Sequence, residues 1–282
     1  MSPTALVLSL LVGAVAGMAS GLLGIGGGLL MVPFLYFLMG SSGWSGLAIP
    51  LESQAALAHA TSLAVIVPTA LSGLIAFRRM GLVPWSTVLP LGGAAAVAAL
   101  LGARVAIVLP TPTLKAGFGL FLLISGIRLL RTQPLPGAAA GGGESLGRTR
   151  AVAGGGAVGF LSALLGVGGG VIAIPILLHW GKLELRRVVP ASIAIILFAA
   201  PAGVLSYALA DASTAGLPAS AIGYVHLTAA LAMIPGAAAF APLGARWNQR
   251  LGARIRPLFA ILLLLAGTQL VWANGTRIFG GP

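Results

Sequence analysis

The sequence predicts an all-α polytopic membrane protein built from two inverted-topology repeats, each holding one broken, re-entrant helix pair and three transmembrane helices. Three observations lead there. The chain is 58% hydrophobic and 7% charged, with a mean hydropathy of +1.06, which excludes an ordinary soluble domain. A glycine-rich segment occurs twice, 142 positions apart. The cations gather on one side of the bilayer only if both glycine-rich stretches enter and leave by the same face.

In chain order, the first apolar stretch, 4–39, is interrupted by Gly24-Ile25-Gly26-Gly27-Gly28, with Pro33 beyond. Uninterrupted spans follow near 54–77, 84–108 and 112–130, each close to the roughly 20 residues that cross a bilayer. The second interrupted stretch, 150–181, carries Gly166-Val167-Gly168-Gly169-Gly170 and Pro175. Spans near 188–210, 222–245 and 256–274 complete the chain. The flanks repeat as well: Gly17, Ser20, Leu22 and Leu23 return as Gly159, Ser162, Leu164 and Leu165. Thr61-Ser62 aligns with Ala191-Ser192, and Gly102-Ala103-Arg104 with Gly244-Ala245-Arg246. The offset drops to 130 in between, which calls for an extra loop around 40–52 and another around 208–222. The repeats are therefore 1–131 and 150–282, joined by a proline- and glycine-rich linker over 132–149 that is expected to be cytoplasmic.

Orientation follows from charge. Eight simple crossings would set the basic loops 180–188 and 246–256 opposite the basic loop 131–150. If each glycine-broken stretch is re-entrant, Arg78, Arg79, Arg128, Arg131, Arg148, Arg150, Lys182, Arg186, Arg187, Arg246, Arg250, Arg254 and Arg256 share one side, and only Arg104, Lys115 and Arg277 lie opposite. Three spans per half then give the halves opposite orientation, the arrangement that underlies alternating access in many secondary transporters. The net charge of +12 is explained by cytoplasmic loops rather than by nucleic acid, which is not expected as a partner. The N-terminus, Met1-Ser2-Pro3-Thr4, lacks the basic residues of a signal peptide and is expected to remain on the protein.

The chemistry points to a small anion. A helix broken inside a membrane must turn its freed amides to protein or a water-filled cavity, and the half-helix that follows presents N–H groups and a positive dipole end. Gly24, Gly26, Gly27 and Gly28, with Gly166, Gly168, Gly169 and Gly170, are the expected substrate-binding backbone; Ser20, Thr61, Ser62, Ser162 and Ser192 supply hydroxyls, and His59 is the ionisable candidate within a span. The bland alternatives are ordinary: Gly13, Gly17 and Gly21, like Gly155, Gly159 and Ala163, have helix-packing spacing, and a lone histidine is often a packed hydrogen-bonder. Arg104 and Arg246 are repeat-related candidates for gating or substrate attraction, with interface anchoring as the alternative. Gly24-x-Gly26-x-Gly28 lacks dinucleotide-binding spacing, and the chain has no cysteine, so no cofactor or metal is expected.

The doubled G-x-G-G-G…P segment, the alanine–threonine–serine start of the next span and the Gly-Ala-Arg elements resemble the TauE/SafE sulfite-exporter family, also called TSUP, over nearly the whole chain. The resemblance implies transport of sulfur-containing anions: sulfoacetate, other sulfonates or sulfite. The expectation is a multi-pass protein of a bacterial-type plasma membrane that exports such anions by alternating access, not an enzyme. A channel-like anion pathway and a proton-coupled uptake permease are the alternatives. The lipid bilayer is the other expected partner, and small-residue faces permit a homodimer.

Overall fold

The computed structural model describes residues 1–40, 49–131, 147–212 and 216–279, which form nine helices and one short β-hairpin. Helix α1, Pro3–Leu23, begins where the Ser2 hydroxyl accepts the Ala5 N–H at 3.2 Å and proline takes the first helical position, where a missing N–H is harmless. It ends at Gly24, whose N–H donates to the Ser20 carbonyl at 2.8 Å. After it come α2 (Gly28–Gly40), α3 (Leu51–Arg79), α4 (Trp85–Val108), α5 (Thr111–Arg131), α6 (Arg148–Leu165), α7 (Gly170–His179) and α8 (Leu185–Ala208). The hairpin pairs β1 (Ala221–Ile222) with β2 (Val225–His226), and α9 runs from Leu227 to Phe279.

Seven segments are long and apolar enough to cross a membrane: α1, α3, α4, α5, α8, and Leu227–Asn248 and Pro257–Gly275 within α9. Each of the six uninterrupted spans expected from sequence has a helix over most of its length. Two details differ. Helix α1, expected as one half of a re-entrant pair, is 21 residues long and by itself long and apolar enough to cross a membrane, because nothing breaks it between its serine cap and Gly24. The span expected from 222 begins at Leu227 instead, because Gly223, with φ of 52°, turns the preceding residues into the hairpin. Most of the expected linker, 132–146, and the core of the first-half loop, 41–48, lie outside the described residues, as do 213–215 in the second-half loop.

The outward surface is apolar. Val7, Leu11 and Val15 line one side of α1, and Leu101, Val108, Leu231 and Leu265 are all more than half exposed on other helices. An apolar surface of that extent needs lipid against it.

Helices from the two sequence repeats pack crosswise. On α1, Gly13, Gly17 and Gly21 bring bare backbone against the carbonyls of Met233, Ala237 and Ala241 in α9. On α6, Gly155 and Gly159 do the same against Leu91 and Ala95 in α4. Gly102 meets the Phe160 carbonyl, and Gly244 meets that of Met18. All of these contacts except that of Gly21 recur with both partners shifted by 142 positions in opposite senses, and the paired helices run parallel. A methyl group at any of these glycines would overlap a carbonyl, so the small-residue stripes are packing faces. Helices α6 and α7 form a hairpin: a Cβ at Gly154, near the start of α6, would lie 3.0 Å from Ile176 and 3.4 Å from Trp180 at the far end of α7.

Candidate functional site

The two glycine clusters meet in the core. Gly24, Gly26 and Gly27 have φ of 70°, 83° and 78°, and Gly166, Gly168 and Gly169 repeat this at 68°, 79° and 79°, a left-handed geometry that glycine adopts without strain. A Cβ at Gly28 would lie 2.6 Å from both the Gly166 carbonyl oxygen and the Val167 Cα. One at Gly170 would overlap the Gly24 carbonyl and lie 2.7 Å from the Ile25 Cα. The loops therefore cross backbone on backbone, and all ten residues 24–28 and 166–170 are buried. Helical bonding after each loop starts late. Leu30 and Met31 donate to the Gly27 carbonyl, and Ile172 and Ala173 to that of Gly169. The amides preceding them head α2 and α7, where helices carry unsatisfied donors and positive dipole ends.

The serines expected at the site hold the crossing together. The Ser62 hydroxyl donates to the Gly166 carbonyl at 2.8 Å, and Ser192 donates to that of Gly24 at 2.7 Å. Each half thus closes the other half's broken helix. The Thr61 hydroxyl donates to the Leu57 carbonyl at 2.6 Å and accepts the His226 N–H at 3.0 Å, pinning the β-hairpin over α3. Ser20 is buried. Ser162 is fully buried, and its hydroxyl has no hydrogen-bond partner. It lies beside the start of α7: a Cβ at Gly169 would come 3.1 Å from the Ser162 Cβ.

His59 belongs to a polar cluster present only in the first half. Its Nε2 shares a 2.5 Å hydrogen bond with the Tyr36 hydroxyl, while its Nδ1 is buried without a partner. Phe118 packs edge-on against Tyr36 with centroids 6.0 Å apart and lies the same distance from the imidazole. The Lys115 ammonium donates to the Gln54 amide oxygen at 2.8 Å and sits 5.0 Å from the Tyr36 ring centroid. Of this cluster, the sequence singles out His59 and not Tyr36, Gln54 or Lys115. The available signal is Lys115 itself, a charge at the fourth residue of the span expected over 112–130, which the charge pattern places only on the side opposite the arginines.

Toward the arginine-rich end, a cavity of about 860 Å³ lies between α5, α7 and the second span of α9. Its walls include Ile174, Leu178, Phe259 and Leu263, Arg128, Arg131 and His179 line the end nearer the helix termini, and Ile25, Leu29 and Val171 place its floor at the glycine crossing. Arg104 and Arg246 are exposed, away from the crossing, and follow the buried pairs Gly102-Ala103 and Gly244-Ala245. On Glu184, in the exposed turn before α8, the Arg186 guanidinium at 2.8 Å holds the carboxyl below its usual range.

Three relatives are similar along almost their whole length. "Probable membrane transporter protein YunE" of Bacillus subtilis is 28% identical, with 94% of this chain and 97% of that protein covered. A "Probable membrane transporter protein" of Methanocaldococcus jannaschii is 27% identical over 93% and 94% of the two chains. One of Haemophilus influenzae is 24% identical over 95% and 98%. No solved structure matches the chain significantly. The model of the sulfite exporter TauE/SafE family matches residues 9–270. With that match across a fold of apolar spanning helices, the chain belongs to the sulfite exporter TauE/SafE family of membrane transporters.

Proposed function

We infer that this protein is a secondary transporter that exports small sulfur anions, such as sulfite, sulfoacetate or other sulfonates, from a bacterial-type cytoplasm by alternating access between two inverted repeats, 1–131 and 150–282. The observation that carries the reading is the cavity that runs from the arginine-bearing end to the glycine crossing. Its floor reaches Val171 and Ile172 in the first turn of α7, beside the positive end of a ten-residue helix and the buried, unpartnered Ser162 hydroxyl, a setting suited to an oxyanion. The other end is packed shut by Tyr36, His59, Phe118 and the β-hairpin, which is the pattern of a carrier facing the cytoplasm. The reciprocal contacts of α1 with α9 and of α6 with α4 supply two like bundles able to rock against each other.

Direction follows from the membrane potential. Moving one negative charge outward through 100 mV, inside negative, releases about 2.3 kcal/mol, so export needs no coupled ion. The test is flux from proteoliposomes loaded with sulfite or sulfoacetate, at a set potential. Saturable efflux that accelerates with inside-negative potential, together with counterflow, is expected. Flux that runs only inward and only with a proton gradient overturns export. One observation favours that second reading, a proton-coupled uptake permease: His59, bonded through Nε2 and bare at Nδ1, can hold a proton within the protein. Under that reading His59→Gln abolishes the proton dependence. Flux without counterflow would indicate the channel alternative.

A further inference from the structure

Both half-helices that follow a glycine cluster begin at the crossing. Gly28 opens the 13-residue α2 and Gly170 the ten-residue α7, and each lies against the backbone of the other cluster. A helix start carries roughly half a unit of positive charge, so the two together match about one negative charge. Ser162 adds a polar group that has nothing to bond. Other buried hydroxyls donate to the carbonyl four residues back: Ser9 to Ala5, Thr61 to Leu57, Thr69 to Val65 and Ser125 to Phe121. Ser162 is 0% exposed and makes no such bond. Its Cβ lies 3.1 Å from where a Cβ on Gly169 would stand; Gly169 is the N-cap of α7, and no side chain caps that helix. A buried hydroxyl left so is costly until a ligand completes it.

Besides Ser162 and His59, the described side chains packed closest on the two clusters are apolar: Val158, Val189, Ile66, Ile196 and Met31. His59 meets Gly166 through its backbone and Cβ, while its ring Nε2 is engaged by Tyr36. Lys115 is held by Gln54 against the Tyr36 ring. Arg128, Arg131 and His179 line the other end of the cavity, and His179 stands nine residues past Gly170, about 14 Å along α7. The cost of burying an ion rises with the square of its charge, whereas its attraction to the helix starts rises only in proportion. Resting on the anion-site reading above, we propose that the crossing is a monoanion site and that Ser162 is a specificity-determining residue in it. Hydrogensulfite and monosulfonates are taken in preference to the sulfite dianion, sulfate or doubly ionised sulfoacetate. The Ser162 hydroxyl, able to donate or accept, completes the contact with an ionised oxygen or with an acid O–H.

Methanesulfonate and methylphosphonate have nearly the same shape, but the phosphonate passes from one negative charge to two between mildly acid and alkaline solution. Binding of each to the purified wild-type protein is measured at both pH values by tryptophan fluorescence, Trp180 being on the cavity wall. Methanesulfonate keeps one charge throughout and reports any change in the protein itself. Similar affinities are expected in acid. Once doubly charged, methylphosphonate should weaken at least about tenfold relative to methanesulfonate. Ser162→Ala should weaken both monoanions about tenfold, as for one hydrogen bond to a charged group. Its melting temperature without ligand should equal or exceed that of the wild type, because no hydroxyl is left stranded; a merely structural serine would give the reverse. A dianion that binds as well as methanesulfonate, or unchanged affinities in Ser162→Ala, overturns the proposal alone. Failure of both anions to bind at either pH defeats the anion-site reading as well. The wild-type comparison decides even if the variant does not fold.

Discussion

The two halves share a backbone design and differ in the side chains laid over it. Gly24 meets Val189 as Gly166 meets His59; Ser192 bonds the Gly24 carbonyl as Ser62 bonds that of Gly166. In the first half, however, Tyr36, His59 and Lys115 fill a place where the second half has Leu178, Val189 and Pro257. Repetition is retained where backbone touches backbone, because a Cβ has no room there. Divergence occurs where Ile174 and Leu178 line the cavity while their counterparts Val32 and Tyr36 are buried. The symmetric part builds the crossing, and the asymmetric part gives the two halves different chemistry at equivalent places.

The largest expected effects test the symmetric part. Gly28→Ala and Gly170→Ala drive a methyl into the opposite loop, an overpacking that costs about 1–3 kcal/mol or more. Thermal unfolding in detergent should fall in both variants by similar amounts, with transport lost in both. A Gly170→Ala protein of wild-type stability beside a collapsed Gly28→Ala would break the equivalence. Next come the reciprocal hydrogen bonds. Ser62→Ala and Ser192→Ala each leave a buried carbonyl short of its donor, at about 1–3 kcal/mol apiece. Equal shifts in denaturation midpoint are expected.

The asymmetric part is tested by making the first half resemble the second. His59→Val leaves the buried Tyr36 hydroxyl without its partner and is expected to cost about 1–3 kcal/mol. Adding Tyr36→Leu should recover part of that loss, because no polar group is then stranded; a double variant no more stable than His59→Val alone would show that the pair is not one unit. The smallest effects are expected at Arg104→Gln and Arg246→Gln. Both side chains are exposed, where single surface changes usually stay within about 0.5 kcal/mol. A KM for anion efflux raised more than about threefold by either would return them to the pathway.

How much of this was legible beforehand can be judged residue by residue. The spans were readable because a bilayer demands continuous apolar length, and the duplicated glycines were readable because few residues can replace them. The meeting of the clusters followed from the repeat, but the pairing of each serine with the other half's carbonyl did not. Ser62 and Gly166 are 104 positions apart, and no local pattern links them. Lys115 and Tyr36 were overlooked for a related reason. One stands among the few cations opposite the arginine-rich side and the other at an ordinary apolar position, and only packing brings them together beside His59.

By itself, then, the sequence determined an all-helical membrane protein with a doubled, glycine-broken core, because hydropathy and glycine content act locally along the chain. Only the tertiary structure decided that α1 packs on α9 and α6 on α4, that the serines cap the opposite loop, and that Ile174 and Leu178 line a cavity where Val32 and Tyr36 are buried. Those outcomes depend on which surfaces fit without voids or stranded polar groups, a property of the assembled helices rather than of any one of them.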